Sequence, residues 1–295
     1  GYRRGHARRC RSHGGMKGRD MSGGDLKSAT VGIGGGIELY YEEQGSGPVL
    51  LFVHGVWASS RFFRAQLESL SKRYRTIAVD LKGHGRSSMT LANQTVPSYA
   101  RDLRAFVELM GLERFVAIGW SMGAFVWWDY YQQFGAAGAQ GLVVIDQPPS
   151  DWQSPDIPNA LLTIDSLREW HYRVQTSQGA LMREVIPMMF AAPPNESDFQ
   201  WMYEEMMLAP EVIAAAILVD QSLREYQDKL WGYPIPTLVC GGGRSAQPRA
   251  GLELIVERVK NGRLLIFEAS GHCLFIEEPD RFNLELDRFA WPLLA

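Results

Sequence analysis

Short apolar segments alternate with longer amphipathic segments along most of this chain. Six of the apolar segments are nearly continuous hydrophobic runs of four or five residues, at 49–53, 76–80, 115–119, 142–146, 237–240 and 264–268. A strand that is hydrophobic along its whole length is buried on both faces, as happens where helices cover a parallel sheet. Segments with apolar residues at helical spacing lie near 62–70, 98–110, 122 onward and 280–291. The alternation predicts an α/β fold with a mostly parallel, doubly wound sheet, and an additional edge strand at 37–43.

The strand pattern stops once, between Pro148 and Pro234. In its place, apolar spacing predicts four helices, at 160–174, 181–190, 198–208 and 211–223. Residues 31–149 and 234–295 are therefore expected to form the core domain, and residues 150–233 a helical insertion. This insertion is rich in tryptophan and methionine. It is expected to pack a small core of its own, and its inner face could also line an apolar substrate pocket, since such side chains adapt to irregular ligands.

The first 30 residues are rich in Gly, Arg and Ser and show no hydrophobic period. We expect them to lie outside the fold, as a disordered basic tail or as vector-derived sequence before a start at Met16 or Met21. Residues 1–20 hold seven of the 30 basic residues but one of the 33 acidic residues, which leaves 23 basic and 32 acidic residues in the remainder. An acidic body does not suit a phosphate backbone, so nucleic-acid binding is not expected, although the tail alone leaves an RNA-binding arm as a minor alternative.

Several other functional classes are disfavoured by what the sequence contains. The longest apolar run, near 212–219, ends at Asp220, well short of the roughly 18 residues that a membrane-spanning helix needs, so no membrane association is expected. Cys10, Cys240 and Cys273 show neither disulfide nor metal-ligand spacing, which favours a cytoplasmic protein without a bound metal. The glycine-rich segment 32–36 superficially resembles a dinucleotide fingerprint, but it precedes the first predicted strand instead of following it.

One motif carries a specific chemical prediction. Gly119, Ser121 and Gly123 form a G-x-S-x-G pattern after an apolar strand and before a helical segment. This is the context of a strained strand-to-helix turn that exposes a serine, where flanking glycines prevent steric clashes of a Cβ atom. Ser121 is therefore predicted to be a nucleophile.

Segments elsewhere in the chain converge with this motif. His54-Gly55 follows the strand at 49–53, Asp80 opens the sequence DLKGHGRS, and Ser270-Gly271-His272 follows the strand at 264–268. Together these motifs closely resemble the α/β-hydrolase superfamily over residues 36–295. The resemblance implies an α/β-hydrolase fold, a helical cap at 150–233 and chemistry without a cofactor. Dimers through the cap or the last strand are common in the superfamily, which leaves a homodimer open.

The resemblance implies that His272 is the general base that takes the proton of Ser121. Many relatives place the acid of the triad in the loop after the seventh strand, but residues 241–247 contain no carboxylate. A minority of the superfamily places the acid after the sixth strand, where this chain has Asp146. We therefore predict a Ser121–His272–Asp146 triad. Three other carboxylates were weighed against Asp146, namely Asp151, Asp129 and Glu268.

Backbone N–H groups of Val56 and Met122 are the predicted oxyanion hole, since such donors stabilise charge that develops in the transition state. Six residues are candidates for the walls of the substrate pocket. Three lie in the core domain and three in the cap: Trp57, Trp120, Phe125, Trp152, Met189 and Trp201.

The expected function is hydrolysis of a carboxylic ester or lactone of a hydrophobic or aromatic small molecule through a serine acyl-enzyme. Similarity to carbon–carbon bond hydrolases of ring-fission products and to non-haem haloperoxidases leaves related chemistries open. A cofactor-independent dioxygenase that uses His272 to deprotonate an aromatic hydroxyl is the alternative from another class. A ligand receptor that retains the triad is a further alternative.

Overall fold

The structure is a computed structural model that describes residues 24–295. Eight strands form one sheet in the order β1-β2-β4-β3-β5-β6-β7-β8. The first two strands are antiparallel to their neighbours, and all the other pairs are parallel. The strands are β1 (Lys27–Gly34), β2 (Ile37–Gly45), β3 (Val49–Val53), β4 (Arg75–Val79), β5 (Phe115–Trp120), β6 (Ala139–Ile145), β7 (Thr237–Gly242) and β8 (Gly262–Phe267). The predicted fold class and all seven predicted strands are confirmed.

The N-terminal hairpin corrects two predictions. Residues 27–30, which were placed outside the fold, belong to β1, and β2 is an inner strand because Tyr41 pairs with both Ala29 and Val79. Most β1 side chains are exposed. The strand therefore has no apolar face from which it could be predicted. The glycines at 34–36 all have positive φ angles and close the hairpin turn, which follows β1. The rest of the predicted tail, residues 1–23, lies outside the described residues.

Residues 24–295 contain ten α-helices beside the sheet. They are α1 (Arg64–Leu70), α2 (Val96–Leu109), α3 (Met122–Phe134), α4 (Ile164–Thr176), α5 (Gln178–Met188), α6 (Glu196–Met206), α7 (Glu211–Ser222), α8 (Arg249–Arg258), α9 (Leu274–Glu277) and α10 (Pro279–Leu294). Short 3₁₀ helices span Ser60–Phe63 and Gln227–Leu230. Helix α1 packs with α10 and α2 packs with α3, so that the central strands are buried between helices. None of the helices within residues 24–295 combines the length and the apolar character needed to cross a bilayer.

The four predicted helices of the insertion are present as α4 to α7, with ends that differ from the prediction by a few residues. Within the cap, α4 packs against α5 and α7, and α5 packs against α6. Because the six strands from β3 to β8 are parallel, their carboxyl ends meet at one edge of the sheet. This edge brings together the loops that begin at residues 54, 121, 146, 243 and 268.

A buried carboxylate joins the cap to the core. Glu205 on α6 is 2% exposed and accepts hydrogen bonds from Ser59 Oγ at 2.6 Å and from Arg86 Nη1 and Nη2 at 2.9 and 2.7 Å. Arg61 Nη1 lies 3.2 Å from the same carboxylate. Burial alone would raise the pKa of Glu205, but the donors from Arg86 and Ser59 outweigh it and lower the pKa to about 2. The carboxylate therefore stabilises the docking of the cap.

Replacing this carboxylate by an amide is expected to loosen the cap. Because both arginines are partly exposed, Glu205→Gln should lower the free energy of unfolding by about 1–3 kcal/mol at pH 7, as measured by urea denaturation. A matched change at the exposed neighbour, Glu204→Gln, should change it by less than about 0.5 kcal/mol.

The difference in the free energy of unfolding between wild type and Glu205→Gln should depend on pH in one direction. A carboxyl group whose pKa is lower in the fold than in the unfolded chain, where it is about 4.3, stabilises the fold above the unfolded value. This stabilisation is lost as the pH falls from about 4.3 towards the folded pKa of about 2. The gap between wild type and Glu205→Gln should therefore narrow by pH 3. An undiminished gap at that pH would contradict the role given to the carboxylate.

Candidate active site

Ser121 lies in the turn between β5 and α3, with φ 54° and ψ −126°. Its backbone N–H donates to Ile145 O at 3.0 Å, which fixes the turn against β6. A Cβ at Gly119 would lie 2.6 Å from Ala124 N, and one at Gly123 would lie 2.2 Å from Val53 O. Only glycine fits at either position. The structure therefore has the strained strand-to-helix turn that the motif predicts, and it holds the serine at the carboxyl edge of the sheet.

The imidazole of His272, in the loop after β8, meets the carboxylate of Asp146, directly after β6. His272 Nδ1 lies 2.7 Å from Asp146 Oδ2, and the carboxylate is fully buried. A carboxylate at Nδ1 favours the tautomer that carries its proton there, which leaves Nε2 as a proton acceptor. The pair thus has the chemistry of an oriented general base.

The loop after β7 contains no carboxylate. The end of β7 and this loop instead supply hydrogen-bond donors to Asp146, which follows the neighbouring strand β6. Gly242 N donates to Asp146 Oδ1 at 2.9 Å, and Ser245 Oγ donates to Asp146 Oδ2. With His272, three donors therefore hold one buried carboxylate. Asp146 also has a positive φ of 51°, a strained value for this residue type. The end of β7 and the loop after it therefore position the acid through Gly242 and Ser245.

The other carboxylates that were weighed as the acid have different partners. Asp129 accepts a hydrogen bond from the hydroxyl of Tyr226. Glu268 is exposed, and Asp151 accepts from Gln147 Nε2 at 2.9 Å. Within residues 24–295, only Asp146 is hydrogen bonded to the ring of His272.

The hydroxyl of Ser121 is not bonded to His272 in this structure. Ser121 Oγ lies 3.5 Å from Gln147 Oε1, while Gln147 Nε2 donates to Pro148 O and to Asp151. Ser121 and His272 line the same cavity, and catalytic hydrogen bonds often form only with substrate bound.

Two backbone amides near Ser121 are available as donors. Neither Val56 N nor Met122 N has a hydrogen-bond acceptor among the described residues, and Met122 is the first residue of α3, where amides lack helical partners. A Cβ added to Gly55 would lie 3.0 Å from Ser121 Cβ, so the loop that carries Val56 passes directly beside the serine. Trp57, with φ 64°, anchors this loop to the cap through a hydrogen bond from Nε1 to Ala214 O at 3.0 Å. This geometry suits a pair of oxyanion donors.

The cavity lies between the core and the cap. From the core it is lined by Val56, Trp57, Trp120, Ser121, Gln147 and His272. The cap contributes mainly large apolar side chains, among them Leu161, Leu162, Trp170, Met188, Met189 and Met206. Among the described residues, no Lys or Arg lines it. Within residues 24–295, no three His, Cys, Asp or Glu side chains are grouped to hold a metal ion.

A family model described as the alpha/beta hydrolase family matches residues 50–285. The chain belongs to this family. It is 24% identical to the AB hydrolase superfamily protein YisY of Bacillus subtilis and 29% identical to a non-heme haloperoxidase of Rhodococcus erythropolis, and each match covers 86% of this chain and 96% of the relative. An esterase structure from Exiguobacterium antarcticum superimposes with a TM-score of 0.83 at 23% identity, covering 86% of this chain and 96% of the esterase, which shows a shared fold. The resemblance inferred from the motifs is confirmed.

Three of the six predicted wall residues of this hydrolase lie in the cavity, namely Trp57, Trp120 and Met189. The other three do not line it. Phe125 is fully buried on α3 between Trp128 and Tyr226. Hydrophobic spacing identified these residues as inward-facing, but it does not distinguish a packed core from a ligand cavity.

The remaining two, Trp152 and Trp201, lie in the cap and are not among the residues that line the cavity. Trp201 packs edge-on against Phe62 and lies below the guanidinium of Arg61. Trp152 forms an isolated bridge with Leu162. Four polar residues in the cavity were not predicted as site residues: Gln147, Gln221, Ser245 and Gln247. Their positions depend on contacts between distant loops, and no local pattern indicates them.

Ser245 offers a direct test of the loop that positions the acid. A hydrogen bond to a charged acceptor contributes about 1.5–3 kcal/mol, but Asp146 keeps its two other donors, so Ser245→Ala should lower kcat about tenfold with little change in KM. Ser245→Thr keeps the hydroxyl and should restore most of the rate. The exposed neighbour provides a control, Arg244→Ala, which should leave kcat unchanged. Equal rates for Ser245→Ala and wild type would contradict the positioning role.

Proposed function

We propose that this chain hydrolyses carboxylic esters or lactones of uncharged hydrophobic or aromatic small molecules through an acyl-enzyme on Ser121. The observation that carries the proposal is one arrangement: Ser121 and His272 line one apolar cavity, Asp146 is hydrogen bonded to the ring of His272, and two backbone amides beside the serine have no acceptor among the described residues. The family supports a hydrolase in general, and the esterase among the structural relatives supports ester chemistry.

The mechanism follows from these groups. His272 Nε2 takes the proton of Ser121 as Oγ attacks the carbonyl carbon, and Asp146 stabilises the imidazolium that forms. The N–H groups of Val56 and Met122 donate to the oxygen that becomes negative. Collapse breaks the bond to the alcohol oxygen, which receives the proton from His272. Water then repeats the sequence on the acyl-enzyme and releases the acid. In a lactone the alcohol stays attached to the acyl chain.

The lining of the cavity supports the proposed substrate class. Large apolar side chains surround the serine, and the absence of Lys and Arg leaves a carboxylate or phosphate on the substrate without a fixed cationic partner. Cys240 and Cys273 are buried free thiols, which fits a reducing compartment, and we propose that the protein is cytoplasmic.

A second candidate has an observation in its favour. The serine hydroxyl faces Gln147, so the oriented His272 is free to deprotonate an aromatic hydroxyl, as the first step of a cofactor-independent reaction with dioxygen requires. In that case Ser121 would be dispensable for the reaction.

One paired assay separates the two candidates. Purified wild type and Ser121→Ala are given short- and medium-chain p-nitrophenyl esters and a lactone panel, and oxygen uptake is followed with an aromatic hydroxyl substrate. Ester or lactone turnover that disappears in Ser121→Ala supports the proposal. Oxygen uptake that survives in Ser121→Ala, without ester turnover in wild type, overturns it.

A further inference from the structure

Asp151 is a buried carboxylate in the cavity for which the proposed mechanism has no use. It is 3% exposed and follows β6 five residues after Asp146. Oδ1 accepts a hydrogen bond from Gln147 Nε2 at 2.9 Å, whereas Oδ2 has no protein donor among the described residues. A buried carboxylate with a free oxygen is costly to the fold unless something else satisfies it.

Burial makes the ionised form of Asp151 less favourable. Burial raises the pKa of Asp151 to about 6, above that of an aspartate in an unfolded chain, despite the hydrogen bond from Gln147. A raised pKa means that the ionised group destabilises the fold at neutral pH. Groups that are kept at such a cost are found preferentially at functional sites.

The position of Asp151 relative to the nucleophile is set by one side chain. The carboxamide of Gln147 bridges the two groups, with Oε1 3.5 Å from Ser121 Oγ and Nε2 2.9 Å from Asp151 Oδ1. Gln147 therefore links the carboxylate of Asp151 to the serine that would attack an ester carbonyl, and all three residues line the same cavity. On the cap side of the same cavity, Gln221 is 7% exposed and its Oε1 lacks a donor in the described part of the chain.

The cavity thus presents hydrogen-bond acceptors within apolar walls, and within residues 24–295 no Lys or Arg lines it. An acceptor that is free and shielded from water discriminates strongly in favour of a ligand that brings a donor. An ammonium group would carry a full charge into an apolar cavity, whereas a hydroxyl satisfies the same oxygen without one.

We propose that Asp151, held by Gln147, binds a hydroxyl group that the substrate carries close to its ester carbonyl, so that the preferred substrates are hydrophobic or aromatic hydroxy esters or hydroxy lactones. This inference rests on the proposed function, because it places the hydroxyl relative to an ester bound at Ser121. Asp151 is a specificity residue here and takes no part in bond breaking.

The test uses p-nitrophenyl 3-phenylpropionate and its 2-hydroxy, 3-hydroxy and 3-amino derivatives as substrates. In wild type, one of the hydroxy esters should exceed the unsubstituted ester in kcat/KM by about 10- to 100-fold, as expected for a hydrogen bond to a charged acceptor. Asp151→Leu should abolish this preference, so that kcat/KM for the hydroxy esters and for the unsubstituted ester agree within about threefold in the variant. Because leucine removes a buried charge, it should not lower the melting temperature.

Three results would overturn the inference: no preference for either hydroxy ester, a preference that survives Asp151→Leu, or a preference for the amino ester alone. Turnover of the unsubstituted ester reports on the proposed function separately. If no ester is hydrolysed, the proposed function fails by itself, and calorimetric binding of the matching hydroxy and unsubstituted anilides to Ser121→Ala and its double variant with Asp151→Leu still decides whether Asp151 binds the hydroxyl.

Discussion

Ser121→Ala is expected to lower kcat for ester substrates by about 10⁴- to 10⁶-fold, because the acyl-enzyme can no longer form. The residual rate would come from the amides of Val56 and Met122 and from substrate binding. The change keeps a Cβ at a position whose φ is 54°, and it removes one 3.5 Å contact with Gln147. Steady-state kinetics with p-nitrophenyl esters measures the loss.

The control for this loss of activity is a demonstration that Ser121→Ala remains folded. The melting temperature and the circular dichroism spectrum of Ser121→Ala should match those of wild type, because the hydroxyl makes no strong contact. KM should also stay similar, since the apolar walls of the cavity are unchanged. Hydrolysis within about tenfold of wild type would show that another group attacks the ester.

Asp146→Asn is expected to lower kcat by about 10⁴-fold while the protein remains folded. Gly242 N–H can still donate to the amide oxygen of asparagine, which leaves the amide NH₂ facing His272 Nδ1. The imidazole would then carry its proton on Nε2, where it cannot accept one from Ser121. Kinetics on the same esters as for Ser121→Ala gives the comparison.

Asp151→Asn is the matched control for this prediction, since it changes a second buried carboxylate in the same cavity. Asp151 has no hydrogen bond to His272, so kcat for an unsubstituted ester should stay within about threefold of wild type. A reversed result, with Asp146→Asn active and Asp151→Asn inactive, would transfer the role of the triad acid to Asp151.

Most of the fold could be predicted because the buried strands are recognisable in the sequence as continuous apolar runs. Central strands such as β5 are buried along their whole length, and only a continuous apolar run satisfies that environment. Strand β1 has mostly exposed side chains and is held by backbone pairing to β2, which leaves no hydrophobic period. Helix α8 was also not predicted, because it is short and has Gly251 in its first turn.

Some residues of the site could likewise be predicted from short sequence motifs, whereas others depend on contacts between distant segments. Ser121 and His272 lie in short motifs whose glycines leave no room for a Cβ, and such motifs are recognisable in the sequence. The loop after β7 contains no carboxylate, which indicated that the acid lies elsewhere. Ser245 and Gln147 depend on how separate loops meet at the edge of the sheet. Phe125 follows the nucleophile motif and was predicted to line the pocket, but it packs into the core. Residue type and position in the sequence do not distinguish these two environments.

The central claim is that Ser121 attacks the substrate with the help of His272 and Asp146. The most direct measurement is the intact mass and peptide map of the protein after reaction with a hydrophobic phosphonofluoridate, which forms a stable bond to an activated serine. The account predicts one adduct per chain, on Ser121, with loss of ester hydrolysis in proportion to labelling and much slower labelling of Asp146→Asn. Ester hydrolysis that continues after complete labelling of Ser121, or an adduct only at another residue, would contradict it.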